Sequence, residues 1–219
     1  MNLPEPVLDG IIDVSHYNVD IDWRAVAGAG IALAFIKASE GDRFVDPRFA
    51  ENRAAAEAVG ILVVPYHFVD AGAAAADQAR HFIAAAGLAA GMPAMLDWET
   101  AVGVAELVAI GAAVSRATGR DPVGYYGWAQ LRAANPTLSR WPLFLPEYPR
   151  GDTLGDYASL VTRAPRLPAG RDAARPYDFH QYTPAGQVPG IAGPVDRSVW
   201  VGTRDALRLW HRSGTRPAG

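Results

Sequence analysis

An α/β fold, a parallel sheet covered by helices, is what this sequence predicts, and three observations predict it. Continuous apolar runs recur along the first 126 positions. Each is followed by a polar loop and then by a helix-like stretch, and the unit repeats at roughly 30 residues. Five such units within 219 residues fit one domain, either a barrel or a doubly wound sheet, and with 50% hydrophobic residues the core can be large.

In order, Val7 to Val14 is the first strand. It leads into the polar Ser15-His16-Tyr17-Asn18, and Asp22 caps a short helix entered at Trp23. In the second unit Ile31 to Lys37 is the strand, Ala38 to Asp46 the loop, and Pro47 to Val59 a helix stopped by Gly60. Ile61 to Phe68 and the helix Ala73 to Ala86, stopped by Gly87, form the third. The fourth strand runs into Met95-Leu96-Asp97-Trp98-Glu99 and is followed by a helix from Val104 to Thr118, closed by Gly119. Pro122 to Tyr126 and a short helix from Trp128 to Ala134 make the fifth. After Asn135 the rhythm changes: Trp141 to Tyr148, Tyr177 to Thr183 and Val195 to Val201 read as strands with few helices between them. Pro149 to Pro176 reads as a long loop with one helical turn at Tyr157 to Val161. The domain is expected to span 9–210, with 1–8 as an extension and 211–219 as a tail.

Several function classes fall away. The net charge is −3 and Lys37 is the single lysine, so the basic footprint of a nucleic-acid binder is missing. Without cysteine there is no thiol nucleophile or thiolate metal site. No apolar run approaches a membrane span, and Met1 to Pro6 lacks the features of a signal peptide, so a soluble protein is expected, carrying no visible export signal. The five histidines include no HExxH pair, and G-x-S-x-G, GxGxxG and P-loop patterns are absent, so neither metal nor cofactor is expected. Arg150-Gly151-Asp152 reads as a turn and is assigned no function.

Hydrolysis by carboxylates remains. In a strand, Asp97 and Glu99 project to the same face with Cα atoms about 6.5–7 Å apart. Their mutual repulsion, with burial beside Trp98, favours one of them keeping its proton near neutral pH, which provides a general acid. Other polar residues also end strands: Asp13, Lys37 and Glu40, His67, Glu147 and Gln181. In parallel α/β folds the ligand site lies at the carboxyl ends of the strands, so these groups would converge there. Aromatics lie near the acids in sequence, among them Tyr66, Phe68, Tyr126, Tyr148 and Tyr182, and flat rings with polar tips suit the stacking of sugars.

Ordered motifs then carry a family resemblance. They are Ile12-Asp13-Val14-Ser15-His16 with Ile21-Asp22-Trp23, Phe35-Ile36-Lys37-Ala38-Ser39-Glu40-Gly41, Val45-Asp46-Pro47-Arg48-Phe49, Tyr66-His67-Phe68 and Asp77-Gln78-Ala79. They continue with Leu96-Asp97-Trp98-Glu99-Thr100, Gln181-Tyr182-Thr183, Val188-Pro189-Gly190-Ile191 and Val195-Asp196. The set resembles the glycoside hydrolase family 25 lysozymes, Chalaropsis-type muramidases that include many phage endolysins. The resemblance implies an irregular TIM-like barrel, five βα units followed by about three strands, and cleavage of the β-1,4 bond between N-acetylmuramic acid and N-acetylglucosamine in peptidoglycan.

Carried over by position, Glu99 is the general acid and Asp97 its partner, while Asp13 and Asp196 complete a carboxylate ring. Tyr66 is the aromatic wall, with Tyr148 and Tyr182 as further candidates. Phe68, Tyr126 and Gln181 join them as candidate substrate contacts. The resemblance further implies retained configuration, with the sugar's own N-acetyl oxygen favoured over a glycosyl ester. A monomer acting on a glycan strand of the cell wall is expected, released from a phage-infected cell or secreted with its signal removed. Two other readings stay open at this point: a silent glycan-binding or phage structural protein on the same barrel, and a hydrolase of another amino-sugar polymer. The sequence departs from the family pattern at Asn18, at Phe144 to Tyr148 with its extra Glu147, at Phe179-His180 and at Ser198.

Overall fold

The computed structural model describes residues 6–126, 138–149, 154–161 and 177–215. In chain order the elements are β1 (Val7–Val14), α1 (Trp23–Gly28), β2 (Leu33–Glu40), β3 (Phe44–Val45), α2 (Phe49–Ala58), β4 (Leu62–Phe68), α3 (Ala75–Ala86) and β5 (Met95–Trp98). They continue with α4 (Val104–Thr118), β6 (Val123–Tyr126), β7 (Leu143–Pro146), α5 (Tyr157–Leu160), β8 (Phe179–Gly186), β9 (Val195–Val201) and α6 (Arg204–Ser213). The helix expected from Trp128 to Ala134 lies outside the described residues.

The sheet closes because β1 pairs with β2 on one side, in parallel, and with β9 on the other, antiparallel. The result is an irregular TIM-like barrel of eight strands, with β3 a two-residue arm on β2. Barrel strands β1, β2 and β4 to β8 run in parallel; of the eight, β9 alone runs against its neighbours. Closure leaves no barrel edge open to pairing with another chain.

The local signals act where they were expected. Asp22 Oδ1 accepts hydrogen bonds from the backbone N–H of Arg24 and Ala25, satisfying donors that the first turn of α1 would leave orphaned. Gly87 (φ 60°) and Gly119 (φ 74°) end α3 and α4 in the left-handed conformation that disfavours other residues.

The unforeseen element is α6, whose span was expected to be the domain's edge and a tail beyond 210. Thr203 accepts from the N–H of Ala206, Gly214 (φ 73°) stops the helix, and Leu207 and Trp210, three apart, are buried. They plug the amino-terminal end of the barrel, where Phe35, Phe144, Phe179 and Trp200 also meet. Phe179 contacts four of these rings at centroid distances of 4.9–5.6 Å. A second core lies outside the sheet, beneath the helices, and includes Ile12, Ile36, Leu96, Trp98, Tyr126 and Leu145. Among the described residues no helix is long and apolar enough to cross a membrane.

Candidate active site

Strand alternation builds the site. Every second residue of a barrel strand points inward, so the positions that follow the apolar plug on the same face arrive at the carboxyl-terminal mouth. On β1 the step is from Ile11 to Asp13, on β4 from Val64 to Tyr66, on β5 from Met95 to Asp97, and on β6 from Val123 to Tyr125. On β8 it is from Phe179 to Gln181; β9 runs the other way and reaches the mouth through Ser198 to Asp196.

Asp13 and Asp196 stand opposite each other in the β1–β9 register and share a side-chain hydrogen bond. Burial, then the charge of Asp196, pushes Asp13 well above the usual carboxylate range. Asp196 is pushed up to about 6, again chiefly by burial. One proton therefore rests between them near neutral pH, carried by Asp13 and donated to Asp196. Gln181 ties this pair to the aromatic side: its Nε2 donates to Asp13 Oδ2 at 2.9 Å, and its Oε1 accepts from Tyr125 Oη (2.9 Å) and Tyr148 Oη (2.5 Å).

Asp97 sits at the floor. Burial first, and then the charge of Glu99, raises it well above the ordinary value, while Lys37 opposes the shift. Its Oδ1 is closed from water and accepts no hydrogen bond within the protein. Glu99, one residue past the end of β5, is exposed. In the open site the proton is thus favoured on Asp97, the deeper member of the pair. Lys37, itself buried, is held by Glu40 Oε2 at 2.6 Å and lies 4.9 Å from the Phe68 ring centroid. Phe68 is half-buried and opposite Asp97 in the β4–β5 register. Tyr66, half-buried, is held as the neutral phenol by burial and by the charges of Asp13, Asp97 and Asp196.

The structure therefore brings together Asp13, Asp97, Glu99, Asp196, Tyr66, Phe68, Tyr148 and Gln181. It does not bring Tyr126 or Tyr182. Tyr126 is 2% exposed on the outer face of β6, edge-on to Trp98 with centroids 5.8 Å apart. Its ring folds back over Gly124, where a Cβ would lie 1.8 Å from the Tyr126 hydroxyl. Tyr182 is fully buried outside the barrel, its hydroxyl donating to Asp9. The tyrosine that faces the carboxylates is Tyr125, in register with Asp97. Counting by twos from the inward Val123 would have selected it. His67 also ends a strand but points outward, bonded to Ser39 and Gln78, and burial lowers it to about 4, so it stays neutral there.

The sequence model of glycosyl hydrolases family 25 matches residues 12–191. The chain is 32% identical over 213 residues to Escherichia coli (strain K12) protein YegX, covering 91% of this chain and 72% of that protein. It is 29% identical over 207 residues to Lysozyme M1 of Streptomyces globisporus, covering 90% and 69%. The crystal structure of the bacterial lysozyme from Streptomyces coelicolor superposes with a TM-score of 0.80 at 27% identity, covering 95% of this chain and 98% of that one.

Proposed function

The chain belongs to glycosyl hydrolase family 25 and is a glycoside hydrolase of the lysozyme type, and from that premise we propose that it cuts peptidoglycan between N-acetylmuramic acid and N-acetylglucosamine with retention. The observation that carries the finer reading is the Asp97–Glu99 pair: one deep acid raised by burial, one exposed acid close enough to act on it by charge.

Glu99 donates its proton to the leaving glycosidic oxygen as the bond to the anomeric carbon breaks. The substrate's N-acetyl oxygen attacks that carbon and closes a cyclic cation. Asp97, partly open to the mouth, accepts the amide N–H and, as carboxylate, stabilises the positive charge. Gaining that donor favours the charged form of Asp97, so the single proton of the pair passes to Glu99 as the sugar fills the mouth. Glu99, now a base, takes a proton from water; the hydroxide adds to the anomeric carbon, the ring opens, and the configuration is retained. Asp13, Asp196 and Gln181 form the polar floor, and Tyr66, Tyr125 and Tyr148 the wall. The working unit is one chain on one glycan strand of the cell wall.

The test is digestion of purified peptidoglycan by wild type and Glu99→Gln, with the new reducing ends identified after borohydride reduction. Reducing N-acetylmuramic acid from the wild type is expected, with Glu99→Gln slower by about 10²–10⁴-fold. Reducing N-acetylglucosamine, or equal yields from both proteins, overturns the reading. An inverted product anomer overturns the amide-assisted route alone.

A further inference from the structure

Beyond the mouth, the rim of the barrel carries an apolar ledge that the chemistry does not use. Tyr17 in the β1–α1 loop is 81% exposed and Phe44 on β3 is 40% exposed, flanked by the exposed Val19 and Val45. The His16 ring lies between them, 4.1 Å from Tyr17 and 5.5 Å from Phe44 by centroids. Exposed aromatic surface of this kind is unfavourable in water and marks a binding surface when it is contiguous.

The backbone of the ledge and its His16 ring are tied down. Asp46, 2% exposed, accepts at Oδ2 from both the backbone N–H and the Nδ1–H of His16, at 3.0 and 2.8 Å. Its Oδ1 accepts from the N–H of Arg48 at 2.9 Å. One buried carboxylate thereby pins the β1–α1 loop to the turn after β3. His81 Nε2–H donates to the Phe44 carbonyl at 2.9 Å and fixes β3 from the α3 side. The His16 ring, held in place this way, loses little freedom when a ligand lands on it.

The ledge also continues the site. Lys37 Nζ lies 5.8 Å from the Phe44 ring centroid and 4.9 Å from that of Phe68, the neighbour of Asp97. A path of rings leads from the carboxylates to Tyr17.

We propose that His16, Tyr17 and Phe44 form an outlying stacking subsite for an N-acetylated sugar ring of the same glycan strand, beyond the two sugars that flank the scissile bond. The proposal rests on the glycan-strand reading above. Pyranose rings offer C–H faces that pack on aromatic rings and edges that stay hydrated, which suits an exposed ledge. A charged stem peptide is disfavoured, because the nearby charges are already matched: Lys37 with Glu40 and Arg43 with Asp42.

The experiment compares wild type, Tyr17→Ala, Phe44→Ala and Tyr17→Trp on peptide-free glycan strands of four and of eight or more sugars. The alanine variants are expected to lower kcat/KM on long strands about fivefold more than on short ones, and Tyr17→Trp to restore the long-strand preference. A uniform effect on both lengths, or none, overturns the subsite, and an effect seen only on strands that keep their peptides overturns the sugar as occupant. The same strands titrated against Glu99→Gln, with and without Tyr17→Ala, read binding apart from cleavage. A long-strand Kd weakened by Tyr17→Ala, together with a wild type that releases no muramic reducing ends, would leave the ledge standing and the proposed reaction refuted.

Discussion

The interior of the barrel has two storeys built on the same strands. In the lower one Phe35, Phe144, Phe179, Trp200 and Trp210 fill the space ring against ring. In the upper one, a single inward step along β1, β5 and β8, stand Asp13, Asp97 and Gln181. Moving two residues thus exchanges packing for chemistry without leaving the face. The storeys also differ in the sign of their effect on stability. Buried rings favour the fold, whereas Asp13, Asp97 and Asp196 are all raised by burial and weigh against it wherever they must be ionised.

Substitutions can sharpen or break this division. Asp97→Asn carries the largest expected effect: turnover on peptidoglycan falls about 10²–10³-fold, while the melting temperature at pH 7 rises or holds. A variant that loses activity by unfolding would show the opposite shift. Phe179→Ala, below, is expected to cost about 3–5 kcal/mol in urea titrations, with kcat per folded molecule near wild type; a matching loss of kcat would break the separation of storeys.

Next comes pH. Because Asp196 is raised to about 6 from its ordinary value of 3.8, the folded protein binds more protons than the unfolded chain between those values. Its contribution is therefore most favourable below pH 4 and declines as pH rises through 6. Asp196→Asn should raise the melting temperature more at pH 7 than at pH 4, and an equal change at both would refute the assignment. The smallest effect separates two neighbours. Tyr125→Phe removes a donor to Gln181 and should raise KM a few-fold, about 1 kcal/mol, whereas Tyr126→Phe, behind the sheet, should leave KM unchanged.

The difference between those tyrosines also marks how far the sequence could be read. Strand and helix units, glycine stops and the converging carboxylates were legible because each leaves a local signal: an apolar run, a left-handed residue, an acid after a strand. Which of Tyr125 and Tyr126, or of Gln181 and Tyr182, faces inward was not, because strands buried on both faces carry no polar side to set the phase. Helix α6 escaped because it is mostly polar, and two buried side chains, Leu207 and Trp210, decide its place. Nor could spacing say which acid of the Asp97–Glu99 pair is the deeper; that follows from where β5 ends.

The seam between β1 and β9 has a temporal meaning. Asp13 stands on the first strand and Asp196 on the last, and they become partners only when those strands join. Contacts between positions so distant in sequence carry a large loop-closure cost and slow the folding of a chain that depends on them. The carboxylate floor is therefore absent from any nascent chain that has not yet delivered β9. A chain still short of β9 has its Asp97 and Glu99 but not the seam that closes the barrel around them.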